Sequence, residues 1–443
     1  METQILELLE EKKYNELKQL LETINSADIA QILEDIDDKD MLVVYRLLNK
    51  DAAVETFSFM EPELQERLIH VMTDKELKEV TSKLFLDDTI ALIGEMPAIL
   101  VKRILRQADP TQRQLINEFL KYPSHSAGSV MTIEFVDLKA SMTVEEAFER
   151  IRKVGVNKET IYTCYVLDKS RHLEGIVSVK ELLLADMSTC IADIMNTNLI
   201  KVSTLDDKEE AAKKFDKYDL LALPVVDQED RLVGIITIDD AVDVLQDANT
   251  EDFEKMAAMN PSDDTYFHTS VFKHAKNRIM WLLILMLSST ITGILIARYE
   301  NAFAVIPILV SFIPMIMGTG GNCGSQSATL IIRGLAIDEI RTKDFLRIII
   351  KESLVALFVG FALAVANGIR ILIQYHEIKL SIVIGLTLMV TVWMSKLMGS
   401  MLPLLAKKLK LDPALMAAPL ITTIVDTCSI LVYFSIATRV FHL

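Results

Sequence analysis

The chain has 443 residues, of which 51% are hydrophobic and 24% charged, with a formal net charge of −16 and a mean hydropathy of +0.31. The charge is unevenly spread: after Ala275, 15 Lys and Arg stand against 8 Asp and Glu, so that part is +7 and the first 275 residues are −23. A body at −23 repels a polyanion, which excludes nucleic acid as a partner, and its periodic Leu, Ile and Val exclude a disordered chain. The N-terminus METQILELLEEKKYNELKQ lacks a basic segment followed by an apolar one, so no cleavable signal peptide is expected. Cys164, Cys190, Cys323 and Cys428 have neither metal nor disulfide spacing and read as small buried hydrophobes in a reducing compartment.

In chain order, residues 1–128 predict an α-helical domain. Short amphipathic stretches such as ELLEEKKYNELKQLLE and ADIAQILEDI carry apolar residues near helical spacing, with breaks at Asn25-Ser26, Asn49-Lys50, Glu61-Pro62 and Met96-Pro97. A compact bundle or a small superhelix is expected. Between 131 and 247 the pattern changes and repeats. Met131-Thr-Ile-Glu-Phe-Val aligns with Met195-Asn-Thr-Asn-Leu-Ile at an offset of 64, and Leu173-Glu-Gly175-Ile-Val-Ser178 aligns with Leu232-Val-Gly234-Ile-Ile-Thr237 at an offset of 59. Each unit reads strand, helix, strand, strand, helix. The repeat resembles a tandem pair of CBS domains (α+β), spanning 129–192 and 193–248. The resemblance implies a regulatory module that binds nucleotides or ions, with Thr237 and Asp240 at the positions that commonly hold a nucleotide's ribose. Lys180 or Glu181 stands where the first copy's acid would be. A plain dimer scaffold is the other reading of the repeat.

Residues 249–275 form a connector with an acidic helical start and a turn signal at Asn260-Pro261. It reads either as a passive linker or as an element that transmits gating. Residues 276–443 predict a five-helix transmembrane domain, because a bilayer core of ~30 Å needs ~20 apolar residues per helix. The spans are 279–297, 302–332, 353–373, 380–406 and 414–438. Lys273, Lys276 and Arg278, then Arg333, Arg341, Lys343, Arg347 and Lys351, then Lys407, Lys408 and Lys410 fall on one side of the membrane. Arg298, Arg370, Lys379 and Arg439 fall on the other. The positive-inside rule therefore places the N-terminal domains in the cytoplasm and the C-terminus outside.

Enzyme motifs are missing from the sequence: there is no GxxxxGK[ST], and His376-Glu377 is followed by Leu380 where a zinc protease needs its second His. The polar content of the spans carries the chemistry instead. Asp426 is the one ionisable residue of the last span, and a charge at that depth costs at least ~2.5–3.5 kcal/mol unless it faces a cavity or pathway. Pro419, Thr422 and Ser429 share its helical face. A basic partner for Asp426 would have to be Lys396. In the second span, the run GTGGNCG (318–324) places Gly321 and Asn322 among glycines. It reads as broken helix with unwound carbonyls facing water, or as a close helix-packing site.

Pro314 to Gln326 (PMIMGTGGNCGSQ) and Leu411 to Thr427 (LDPALMAAPLITTIVDT) resemble the two signature membrane segments of the MgtE magnesium channels. The domain order is similar as well: helical N domain, CBS pair, plug helix, five spans. The resemblance implies a homodimeric Mg²⁺-selective channel of the inner (plasma) membrane, not an enzyme, with Mg²⁺ as cargo and regulator and ATP as a further regulatory ligand. Two copies of Asp426 would hold the ion on the dimer axis, with Asn322, Gly321, Thr422 and Ala414 lining the passage. Asp412 would bridge to the CBS domains. Sensor acids would fall on Asp88, Asp207, Glu209, Asp219, Asp240 and Asp243, with Glu251 and Asp252 on the plug helix; solvated surface acids are the plainer reading of each. A transporter of another divalent ion such as Co²⁺, or a non-conducting receptor with a nucleotide-sensing CBS pair, are the rival functions.

Overall fold

The computed structural model describes residues 2–262, 266, 269–416 and 418–442, with side chains for all of these except 2 and 301–303. It divides into two compact units, Met1–Gln246 and Asp247–Leu443.

The first unit begins with helices α1 (Glu2–Glu10), α2 (Tyr14–Leu21), α3 (Ser26–Glu34), α4 (Asp38–Leu47), α5 (Lys50–Ser58), α6 (Pro62–Val71), α7 (Asp74–Thr81), α8 (Leu86–Glu95), α9 (Ala98–Gln107) and α10 (Pro110–Phe119). The four sequence breaks all fall at helix starts. Asn25 and Asn49 are N-caps whose side chains accept backbone N–H bonds, Pro62 opens α6 where its missing N–H is harmless, and Pro97 precedes α9. From α2 onward each helix packs on the one two places along, so the domain is a superhelix rather than a bundle. Its period is 36 residues, marked by the side-chain caps Asp37, Thr73 and Asp109. Arg67 and Arg103 repeat the same role at that spacing. Arg67 grips Asp38 and the carbonyls of Glu34 and Ile36; Arg103 grips Asp74 and the carbonyls of Ile69 and Met72. Both satisfy helix-end carbonyls that would otherwise lack donors.

Two three-stranded sheets follow. β1 (Val136–Leu138), β2 (Thr163–Leu167) and β3 (Leu173–Ser178) form the first, and β4 (Val202–Ser203), β5 (Ala222–Val226) and β6 (Leu232–Thr237) the second, each with a parallel pair and then an antiparallel one. Helices α11 (Val144–Val154), α12 (Val179–Leu184), α13 (Ile191–Ile194), α14 (Lys208–Tyr218) and α15 (Ile238–Met256) complete the repeat. The aligned segments at 131 and 195 are mostly crossovers that precede the short first strands. Thr132 bridges Ile235 of the second sheet, and Asn196 bridges Ile176 of the first. Gly175 and Gly234 make room for these crossings: a Cβ at Gly175 would lie 2.7 Å from Met195 Sδ, and one at Gly234 would lie 2.6 Å from the Thr132 carbonyl oxygen. The glycines that define the repeat thus interlock its two halves.

The second unit contains α16 (Val271–Ala297), α17 (Glu300–Val305), α18 (Ile313–Ala336), α19 (Phe345–Tyr375), α20 (Ile378–Lys408) and α21 (Ala418–Phe441). Five helical segments, Val271–Ala297, Pro307–Ala336, Thr342–Tyr375, Ile378–Lys408 and Pro413–Phe441, are long and apolar enough to cross a membrane. The expectation of an unwound backbone at 318–324 is corrected: α18 runs through the glycines without interruption. A continuous helix satisfies its own backbone in lipid, so the glycines answer a packing need. A Cβ at Gly321 would lie 2.4 Å from Thr422 Cγ2, one at Gly324 2.8 Å from Ile421 Cγ2, and one at Gly399 of α20 2.1 Å from the Gly324 carbonyl oxygen. Three helices meet there at backbone distance. Residues 263–265, 267 and 268 of the connector, and Ala417 in the second membrane motif, lie outside the described residues.

Candidate functional site

In the first unit, acids from four stretches of chain converge. Asp87 and Asp88 open α8, where a helix N-terminus suits negative charge. Glu134 and Glu159 sit in loops of the first repeat, and Asp239 and Asp240 open α15 in the second. Burial pushes the Asp88 carboxyl up to about 6, with Asp239 and Glu134 adding repulsion. Burial first, and then Asp88, Asp239, Asp240 and Glu134, push Glu159 up to about 8. Asp240 rises to about 7, chiefly by burial, although Thr237 Oγ1 donates to its Oδ2 at 2.6 Å. Asp87 is raised well above the usual carboxylate range by burial and by Asp240, Glu159 and Asp88. Glu159 Oε2 is buried without a hydrogen-bond partner. Among the described residues, none of the six has an ion pair.

Asp88 and Asp240 were legible in the sequence. Asp87 and Asp239, in the first turns of α8 and α15, and Glu134 and Glu159, in loops, were not, because none of them carries a motif. The other expected sensor acids have local roles. Asp207 caps α14 by accepting from Glu209 and Glu210 N–H, and Asp219 closes that helix in the left-handed region at φ 50°. Glu209, Asp243 and Asp252 each interact with a neighbouring group. The first copy's counterpart of the Thr237–Asp240 pair is Ser178 donating to Glu181 at 2.8 Å. Among the described residues no three His, Cys, Asp or Glu side chains are placed to ligate one metal ion.

In the second unit, Asp412 accepts from Lys255 Nζ at 2.6 Å and from Ala414 N–H at 2.8 Å. The same ammonium is 2.6 Å from Glu251 Oε1. Glu251 and Asp412 are thus brought together around a lysine of α15. Ala414 is buried. Asp426 is half-buried on α21, and among the described residues no hydrogen bond or ion pair reaches it. Lys396, the candidate partner, is committed elsewhere: its Nζ lies 3.3 Å from Ser327 Oγ and 3.9 Å from Glu352 Oε2. Thr422 presses its methyl onto Gly321 while its hydroxyl donates to the Ala418 and Pro419 carbonyls. Asn322 is exposed.

Comparison with known proteins gives a consistent result. Residues 313–436 match the MgtE family model, described as a divalent cation transporter; 24–125 match the MgtE intracellular N domain; 127–188 and 191–247 match the CBS domain. The magnesium transporter MgtE of Thermus thermophilus is 35% identical over 97% of this chain and 96% of its own length. That of Bacillus subtilis is 31% identical over 99% and 97%. A crystal structure of the cytosolic domain of the Mg²⁺ channel MgtE in complex with ATP, 35% identical, covers 55% of this chain and 100% of its own with a TM-score of 0.53. The soluble part of a magnesium transporter, 30% identical, covers 56% of this chain and 97% of its own, also at 0.53.

Proposed function

We propose, from the premise that this chain belongs to the MgtE family of magnesium transporters, that two copies of it form a Mg²⁺ channel gated by Mg²⁺ itself. It is a multi-pass membrane transporter and not an enzyme. The observation that carries the pathway is Asp426: a carboxylate within the last span with no basic partner among the described residues, while the nearest buried lysine is bound to Glu352. An unpaired acid at that depth is sustained by a passing cation. Two symmetry-related copies supply two charges for one divalent ion. Gly321 and Thr422 set the wall by close packing, and Asn322 lies on the exposed face available to the second copy.

Gating follows from the acid cluster. With no cation present, Asp87, Asp88, Glu134, Glu159, Asp239 and Asp240 repel, and the N domain separates from the CBS pair. When cytosolic Mg²⁺ rises, hydrated ions bridge the carboxylates and the compact form closes the pore through the connecting plug segment 249–275, whose first residues continue α15. Linkage requires Mg²⁺ to favour the compact form. A nucleotide whose ribose is held at Thr237 and Asp240 would share Asp240 with the acid cluster, which supports ATP as a further regulator of the same element. The eleven-to-four distribution of basic residues supports a cytoplasmic N-terminus and an external C-terminus.

The deciding experiment is Mg²⁺ entry into proteoliposomes. Asp426→Ala is expected to reduce entry by about tenfold or more, equivalent to ~1.4 kcal/mol. Wild-type entry in that variant removes Asp426 from the pathway.

A further inference from the structure

Lys396 is the one charged residue among the buried residues of the chain described here, 5% exposed on α20. Ser327 of α18 donates to Glu352 Oε2 of α19 at 2.6 Å, and Lys396 Nζ lies 3.3 Å from that hydroxyl and 3.9 Å from the same carboxylate oxygen. Three helices whose other contacts are largely apolar are joined there by charge. The ammonium has three donors and one described acceptor, Ser327, because 3.9 Å is too long for a hydrogen bond. Nearby, the hydroxyls of Thr391, Ser395 and Ser429 are fully buried and have no partner. They surround the glycines of α18. A Cβ at Gly320 would lie 2.9 Å from Ser429 Oγ and 3.0 Å from Thr391 Cγ2, and one at Gly324 would lie 3.3 Å from the Ser395 carbonyl oxygen. Unmet donors and hydroxyls gathered along one wall are what buried water satisfies.

We infer that Lys396, Glu352 and Ser327 form a charge-balanced, hydrated clamp that holds α18 in place beside the ion pathway, with Lys396 and Glu352 as positioning residues. The inference rests on the reading of Asp426 as the pathway acid. Lys396 cancels Glu352, so a divalent ion meets the field of Asp426 and not that of an additional carboxylate in the wall. Loss of the lysine leaves a buried negative charge that retains the cation. Loss of the carboxylate leaves a buried positive charge that repels it. Removing one partner of a buried pair is far more disruptive than replacing both by neutral groups of similar size.

The test uses full-length protein in proteoliposomes, with the maximal Mg²⁺ entry rate, the half-saturating Mg²⁺ concentration and thermal unfolding measured together. Lys396→Met is expected to lower both the rate and the half-saturating concentration, and Glu352→Gln to lower the rate while raising that concentration, each by roughly threefold or more. The double variant should return both quantities to within about twofold of wild type. Half-saturating concentrations that move in the same direction, or a double variant no better than the worse single, overturn the clamp. If Lys396→Met fails to fold, recovery of folding in the double variant supports the clamp, and its failure overturns it. Non-additive thermal unfolding of the pair does not depend on conduction. It therefore separates a failed clamp from a failed pathway, which Asp426→Ala tests by itself.

Discussion

Each unit holds a site whose acids are treated in the opposite way to those of the other. In the second, Glu352 is matched by Lys396, and Glu251 and Asp412 share Lys255, so the protein supplies its own cations. In the first, six carboxylates gather with no lysine or arginine paired to them among the described residues, and burial with mutual repulsion raises the proton affinities of Asp87, Asp88, Glu159 and Asp240. Asp426 departs from these matched acids of its own unit and resembles the cluster of the first. Where a lysine is built in, the acid has a structural role. Where it is withheld, the proposed function leaves the position for a cation from solution.

The largest effect that would sharpen this contrast comes from neutralising one member of the unmatched cluster. Asp240→Asn removes a carboxylate held at about 7 instead of about 4, and should stabilise the compact first unit by roughly 2–4 kcal/mol near neutral pH. Limited proteolysis without Mg²⁺ should then resemble that of wild type with millimolar Mg²⁺; unchanged cleavage would count against the cluster as sensor.

The pH dependence is next. Carboxylates raised in the compact form bind protons better there than when separated, so their repulsion is absent below about pH 4. It sets in as pH rises through 6 to 8, the range of Asp88, Asp240 and Glu159. Without Mg²⁺, protection from protease should increase as pH falls from 8 to 6. Protons and Mg²⁺ then stabilise the same compact form at the same carboxylates, so the additional protection that Mg²⁺ confers should shrink over the same interval. A flat profile would break the contrast.

A matched acid should behave differently. Lys255→Ala strands Glu251 and Asp412, and is expected to cost about 1 kcal/mol given the partial exposure of all three side chains. Thermal unfolding of the solubilised protein measures it. The smallest effect is a control: removing the exposed Lys50–Glu79 pair should leave stability unchanged within error.

Much of this was legible in the residues. Asn25, Asn49, Pro62 and Pro97 marked helix starts because caps and N1 prolines act through their own backbone, which sequence records directly. The five spans and the tandem repeat followed from apolar runs and glycine spacing for the same reason. The 36-residue superhelical period was also written there, in Asp37, Thr73 and Asp109, but two different residue types fill one capping role and hide the repeat. The glycine run misled because glycine serves both a broken helix and a tight one, and only the neighbours Thr422, Ile421 and Gly399 decide. Lys255 meeting Asp412 across 157 positions, and Glu134 and Glu159 joining Asp88, depend on tertiary placement that no local pattern encodes.

One helix has ends of contrasting character. α15 carries Asp239 and Asp240 in its first turn and Lys255 in its last, without a break between them. At 1.5 Å per residue the sixteen steps from Asp239 to Lys255 make a rod about 24 Å long. A rod of that length is a lever arm: a tilt of only about 5° at one end displaces the other by about 2 Å. That is enough to break a 2.6 Å lysine–carboxylate contact. In the proposed gating, stiffness alone would turn a small electrostatic rearrangement at the acidic end of this helix into a mechanical stroke at its basic end.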